Sequence, residues 1–306
     1  MHKLYSNKWV IFSLVLPGLL TFVIAILAPI ILSVFYSLTD YSGLGEATVT
    51  GIQNYKALLH DSVFWTALRN SLLLAIGFVA IQHPIAVYVA VKLDRLQGKA
   101  EGFLRCVYFI PNVISVAVIA YLWKFIYNPN FGLLQKILEF FGYDGTFNAL
   151  SSGSAIWAVL VVLIWHGFGW GMLIYYTGIK NIDPVVYEAA KIDGATEGQA
   201  FLHITLPLMK PVIKYNVTLA VISALKQMET VYLLTNGGPG NETQFLGTYL
   251  YKQAFGSFKY GYGNAISVVF IAICLLSTVI LNKVFEDRSE RREGKRLAKA
   301  AKKAKS

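Results

Sequence analysis

Six apolar blocks, each long enough to cross a bilayer, run through this 306-residue sequence and limit its fold before any motif is considered. A helix rises about 1.5 Å per residue, so roughly 20 apolar residues bridge the hydrocarbon core. The blocks fall at 9–38, 68–91, 103–126, 155–178, 212–235 and 263–281. Hydrocarbon offers the backbone no water to bond, and a helix satisfies its own N–H and C=O groups. The expectation is therefore an all-α, polytopic integral membrane protein with about six transmembrane helices. Composition agrees: hydrophobic residues make up 56% of the chain and charged residues 14%, where a soluble domain carries about a quarter charged. Mean hydropathy is +0.53.

The first block is long enough to tilt or to break at Pro17 or Pro29, and too long and proline-interrupted for a cleaved signal peptide. His83-Pro84 lies inside the second block and Pro111-Asn112 inside the third. Cys106 and Cys274 sit in or beside different blocks, which argues against a disulfide framework or a thiolate metal site. His83 and His166 lack paired metal-ligand spacing and are read as packing or hydrogen-bonded residues.

Charge sets the orientation. The net charge is +10, and its distribution points to membrane topology rather than to nucleic acid. With the N-terminus inside, the inner segments carry twenty Lys and Arg residues and the outer segments six. The positive-inside rule then places both termini in the cytoplasm. A membrane domain at 1–282 is followed by a basic cytoplasmic tail at 283–306, read as a topology anchor with weak attraction to anionic lipid headgroups.

One polar island, 183–211, stands between the fourth and fifth blocks on that cytoplasmic side. Asp183 and Pro184 read as an N-cap followed by proline at the first helical position. A short helix through Glu188, Ala189 and Ala190 follows, and Gly194 supplies the positive φ that ends it. Thr196 and Gln199 form a capping box that opens a second short helix. Pro207 and Pro211 close the segment.

These residues carry a resemblance. Glu188-Ala189-Ala190, Asp193-Gly194-Ala195, Leu206-Pro207 and Pro211 resemble the EAA loop of ABC importer permeases, and are most similar to the carbohydrate-uptake class of maltose and glycerol-phosphate type. The resemblance implies a type I ABC importer permease fold in a bacterial inner membrane. It implies three kinds of partner: a second homologous permease subunit, a dimer of ATPase subunits, and an extracytoplasmic solute-binding protein. ATP and Mg would be held by the ATPase, and this chain would catalyse nothing. Glu188, Ala189, Ala190, Asp193, Gly194, Ala195, Phe201 and Pro207 would form the helix that docks on the ATPase and couples it to the spans. No GxxxxGK[ST] motif occurs in the chain.

Ionisable groups inside a span are costly and mark function by default. Lys226, Gln227, Glu229 and Thr230 cluster in the fifth block; three residues apart on one helix, Lys226 and Glu229 would share a face. They read either as an ion pair that joins helices or as a polar surface that bonds sugar hydroxyls. The resemblance favours the second, because permeases of this class carry polar residues shortly before a motif that stands here as Leu234-Thr235-Asn236-Gly237-Gly238-Pro239. Trp165, Trp170 and Asn112 fall in segments similar to the third and fourth spans of sugar permeases. The aromatic faces of Trp165 and Trp170 would stack on sugar rings, although aromatic residues near span ends are also ordinary interface anchors. The rival is a stand-alone secondary transporter or channel for a small polar solute, which predicts ion ligands in two matched broken helices. A membrane-embedded enzyme would need paired catalytic groups that this one cluster does not supply.

Overall fold

A computed structural model describes residues 8–96 and 98–286. The tail expected at 283–306 lies outside the described residues from position 287 onward. Among the described residues the regular structure is all helical, joined by turns and loops, with one isolated antiparallel bridge, Thr39 with Val49. The helices are α1 (Val10–Tyr36), α2 (Gln53–Leu59), α3 (Ser62–Asp94), α4 (Lys99–Val113), α5 (Val116–Ile126) and α6 (Leu133–Phe140). They continue as α7 (Ala155–Lys180), α8 (Pro184–Ile192), α9 (Glu197–Leu208), α10 (Lys210–Leu225), α11 (Glu229–Leu234), α12 (Leu246–Tyr251) and α13 (Tyr260–Phe285).

Four of these, α1, α3, α7 and α13, are each long and apolar enough to cross a membrane. The other two expected spans differ from continuous rods. The block at 103–126 is α4 and α5, bent by 96°. Pro111 withholds one helical N–H, and Ile114 and Ser115 are extended at ψ 136° and 138°. The block at 212–235 is α10, which follows α9 at a bend of 67° and stops at Leu225. Lys226 caps it, Met228 leaves helical geometry at φ −141°, and α11 begins at Glu229. The second block is also longer than expected, starting at Ser62 and ending at Asp94.

Three prolines leave a common signature. Immediately before Pro29, Pro84 and Pro207 the helix widens into a π turn. Ala28 N–H donates to the Val23 carbonyl, His83 N–H to that of Phe78, and Leu206 N–H to that of Phe201. A proline ring crowds the carbonyl four residues earlier, and the wider turn moves that carbonyl aside while keeping the N–H before the proline bonded. Inside a bilayer that repair is worth several kcal/mol, roughly the penalty of an unpaired backbone group in hydrocarbon.

The chain divides into two compact units. One comprises the residues up to Trp65 with Tyr249–Ala272. Here Asn54 Nδ2 donates to the carbonyls of Ser37 (2.9 Å) and Thr39 (2.7 Å). Asp61 caps α3 by accepting from Val63 N–H at 2.9 Å, and also accepts from the hydroxyls of Tyr249 and Tyr262. Gly261 N–H donates to the Tyr41 carbonyl at 2.9 Å.

The other unit comprises Thr66–Thr248 and the residues from Ile273 onward. It is built around α7, against which α3, α4 and α10 pack. Leu74, Ile119, Val159, Val162, Leu163 and Phe245 form one buried cluster; Ala86, Leu93, Met172, Tyr175 and Met209 form another.

A Cβ at Gly261 would lie 2.0 Å from the Thr39 carbonyl oxygen, a backbone atom with no room to yield. Gly261→Ala should therefore lower stability by about 1–3 kcal/mol, the usual cost of overpacking. Thermal unfolding of the purified protein in detergent reads this as a lower midpoint.

Candidate functional site

Two features of the second unit are candidates for function: a cavity beside the middle of α7, lined by polar and apolar side chains together, and a capped knuckle beyond its C-terminal end. The cavity measures ≈ 610 Å³, within the range of small-ligand sites. It is walled by α3 (Gln82, His83), α4 (Asn112), α7 (His166, Trp170), α10 (Asn216, Ser223) and the break that follows α10 (Lys226 to Thr230).

The glycines of α7 make room for this wall. A Cβ at Gly169 would fall 2.3 Å from the Tyr108 carbonyl oxygen and 2.8 Å from Asn112 Nδ2. Only glycine admits α4 that close, and the approach brings Asn112 to the cavity. At Gly167 a Cβ would meet Gln82 Nε2 at 3.0 Å. Asn216, buried on α10, donates from Nδ2 to the Gly171 carbonyl at 3.0 Å.

Three polar atoms on the wall find no protein partner: Gln82 Oε1, His83 Nε2 and Asn112 Nδ2. Gln82 and His83 are each only 4% exposed. His83 is held from its other nitrogen, where Nδ1 and the buried Tyr175 hydroxyl lie 2.6 Å apart. A buried polar atom without a partner costs about 1–3 kcal/mol. Each of the three atoms is itself almost fully covered, so they mark unused hydrogen-bonding capacity at the wall: an acceptor, a donor and an imidazole nitrogen that serves as either.

Of the residues singled out from sequence, Asn112, Trp170, Lys226, Gln227, Glu229 and Thr230 line this cavity together. Trp165 is not among the lining residues; its ring stands edge-on to Trp123, with centroids 5.4 Å apart. The shared helix face expected for Lys226 and Glu229 is corrected by the break between α10 and α11. No ion pair joins the two among the described residues. Gly247 lies against that break, where a Cβ would be 2.9 Å from the Gln227 carbonyl oxygen. His83 and His166, read from sequence as packing or hydrogen-bonded residues, also stand in the cavity wall, His83 with its Nδ1 on the Tyr175 hydroxyl. Gln82, Asn216 and Ser223 were not singled out. The one signal for Gln82 and His83 was two polar residues ahead of a proline in an apolar block.

The knuckle is α8 and α9. Asp183 caps α8, its carboxylate accepting from Val185 N–H at 3.0 Å, with Pro184 at the first helical position. Gly194 turns the chain at φ +76°. Thr196 and Gln199 make the reciprocal capping box at the start of α9. Glu188, Ala189, Asp193, Gly194 and Pro207 are exposed, Ala195 and Phe201 are half-buried, and Ala190 is buried. Apolar Ile192 is 86% exposed on the same short helix as Glu188. Behind the knuckle, Lys180 bonds Asp94 at 2.9 Å, Arg95 pairs with Glu197, and the Tyr187 and Thr205 hydroxyls meet at 2.9 Å.

A second cleft, ≈ 670 Å³ and mostly apolar, shares His83 with the cavity and reaches Lys92, Arg95, Glu197 and Phe201 at the knuckle. Cavity and knuckle are thereby connected along α3.

A multi-helix membrane protein with an interior cavity and an exposed, capped knuckle is the class that this arrangement defines. The model of the binding-protein-dependent transport system inner membrane component matches residues 82–292, and the chain belongs to that family. It is 36% identical over 289 residues to the probable ABC transporter permease protein YurN of Bacillus subtilis, covering 93% of this chain and 99% of the relative. It is 30% identical to the multiple sugar-binding transport system permease protein MsmF of Streptococcus mutans, covering 94% and 99%. The fold matches a chain in the crystal structure of a bacterial alginate ABC transporter in complex with an alginate pentasaccharide-bound periplasmic protein. The TM-score is 0.79 at 21% identity, with 90% of this chain and 93% of that chain covered.

Thr196→Ala removes the hydroxyl that caps α9, worth about 1 kcal/mol of helix stability. Amide hydrogen exchange over 196–200 should accelerate roughly fivefold, the factor that 1 kcal/mol implies, with exchange in α7 unchanged.

Proposed function

We propose that this chain is a permease subunit of an ATP-driven sugar importer, that its cavity receives the sugar, and that its knuckle couples the spans to a separate ATPase. The observation that carries the sugar reading is the cavity wall: unpartnered donor and acceptor atoms of Gln82, His83 and Asn112 around ≈ 610 Å³, with Trp170 beside them. A polyol supplies hydroxyls that donate and accept, and an aromatic ring covers the apolar face of a sugar. Names of relatives point the same way, the multiple sugar-binding permease among them.

The knuckle reading rests on exposure and shape. Glu188 and Ile192 stand free on a short helix whose caps fix its direction, and the small Ala189 lets a partner surface come close. Glu188 would pair with a basic residue of the ATPase, which holds ATP and Mg. Closure of the ATPase dimer would push the knuckle toward α3 and α7 and alternate access to the cavity. A second homologous permease subunit would complete the pathway, and an extracytoplasmic binding protein would deliver the sugar. The knuckle would face the cytoplasm of a bacterial cell, as the Lys and Arg distribution requires.

Sugar uptake by vesicles that contain all the subunits tests both halves. Gln82→Leu and Asn112→Leu each remove about 1 kcal/mol of hydrogen bonding and should raise the half-saturating sugar concentration roughly fivefold. Glu188→Lys should abolish uptake and release the ATPase from the membrane, leaving sugar binding intact. Uptake that persists without any ATPase would overturn the coupling reading and favour a gradient-driven carrier.

A further inference from the structure

At the end of α7 opposite the knuckle, the loop between α5 and α7 carries the amphipathic helix α6. We infer that α6 lies in the headgroup region of that leaflet, with its apolar face against lipid, and anchors the outer mouth of the cavity unit to the membrane surface. This placement needs only that α5 and the start of α7 reach the same face of the bilayer, and it is independent of the sugar reading.

The pattern comes from the sequence. At 100° per residue, Leu133, Ile137, Phe140 and the following Phe141 fall within an arc of about 100°. Leu134 and Leu138 continue that arc inward, and Lys136 and Glu139 occupy the remainder. Packing fixes the rotation. Gln135 is buried, donates to the Gly145 carbonyl at 2.8 Å and accepts from Phe147 N–H at 2.9 Å. Leu134 packs on the buried cluster of the unit. With that side held, Phe140 and Phe141 are left 85% and 81% exposed, and Leu133 and Ile137 are exposed beside them.

That face continues a span surface. On α5, Val118, Tyr121, Leu122 and Phe125 are exposed along one side. The Phe125 ring meets that of Phe131, just before α6, at 6.2 Å. The apolar surface thus runs without interruption from the span into the loop. Trp157, exposed near the start of α7, adds an aromatic residue at the same end, where a membrane's aromatic belt lies.

Chemistry favours lipid over a binding protein. Surfaces that engage and release a partner are about as polar as the rest of a protein. A stripe of Leu, Ile and two Phe side chains with charges only along its edge has the composition of an interfacial helix. The loop also touches the outer turn of the unit: Glu242 accepts from the Ser152 hydroxyl and from Gly153 N–H at 2.9 Å. Anchoring α6 would therefore set the height of the loop that follows Gly237-Gly238-Pro239.

The test uses the assembled transporter in lipid nanodiscs, with Cys106→Ser and Cys274→Ser as background. An environment-sensitive fluorophore is attached at Ile137→Cys, Phe140→Cys or Glu139→Cys, and acyl-brominated lipid is the quencher. Emission from positions 137 and 140 should fall about twofold or more, as expected for a face buried in the acyl boundary. Position 139 should change little, and addition of the binding protein should alter none of them. Quenching by aqueous iodide instead of bromolipid, or emission that responds to the binding protein, would overturn the inference. Photoactivatable lipid on the wild-type complex covers any variant that fails to assemble. Adducts on 131–141 support the anchor, and adducts confined to 118–125 overturn it.

Discussion

A backbone in hydrocarbon must close every hydrogen bond within itself, and the architecture depends on how this chain handles its prolines. Pro29, Pro84 and Pro207 would each leave a carbonyl crowded in a regular α-helix. In all three places a π turn restores the bonding just before the ring. The repair has a second effect. It inserts one residue into the turn and rotates the helix before the proline relative to the helix beyond it. At Pro84 the residues so placed are Gln82 and His83, both in the cavity wall. At Pro207 the turn contains Phe201 and Thr205, which lie behind the knuckle. The same steric problem thus shapes both candidate functional features.

The second constraint is proximity. Helices in a membrane gain nothing from excluding water from one another, so close van der Waals contact and interhelical hydrogen bonds hold them. Alternate glycines on α7 allow this. Gly169 brings α4 to touching distance, and Gly167 makes space for the Gln82 amide. Three helices can then present amide side chains around α7, and not all the polar atoms they bring are satisfied by protein. That unused hydrogen-bonding capacity is what the sugar reading of the cavity rests on.

Local grammar was legible in the sequence and distant contact was not. Asp183, Gly194, Thr196 and Gln199 act over two to four residues, so their spacing already described the caps and turn that the structure contains. The six apolar blocks likewise coincide with helical segments, because length and hydropathy are local quantities. Lys226 and Glu229 were misplaced on one face because a non-local contact with Gly247 accompanies the break between them. Gln82, Asn112, His166 and Asn216 come from four helices, and nothing in their spacing brings them together. Trp165 and Trp170 show the limit most simply: five residues apart in one apolar run, one lines the cavity and the other packs on Trp123.

In the coupling proposed above, magnitudes limit how the knuckle would move the cavity. The ion pair of Arg95 with Glu197 is solvent-exposed, and such pairs are worth only about 0–1 kcal/mol. It can orient α9 but cannot transmit a displacement. Side-chain contact is the alternative: Ala190 is buried and the Thr205 hydroxyl meets that of Tyr187, while Phe201 lines a ≈ 510 Å³ cleft between the knuckle and the end of α3. Motion of the knuckle would have to close that cleft before it loaded α3, since only close-packed groups resist compression and pass strain on. From Arg95, α3 runs back to Gln82 over 13 residues, about 20 Å of helix. A rigid rod of that length would deliver motion at the knuckle to the π turn that holds Gln82 and His83.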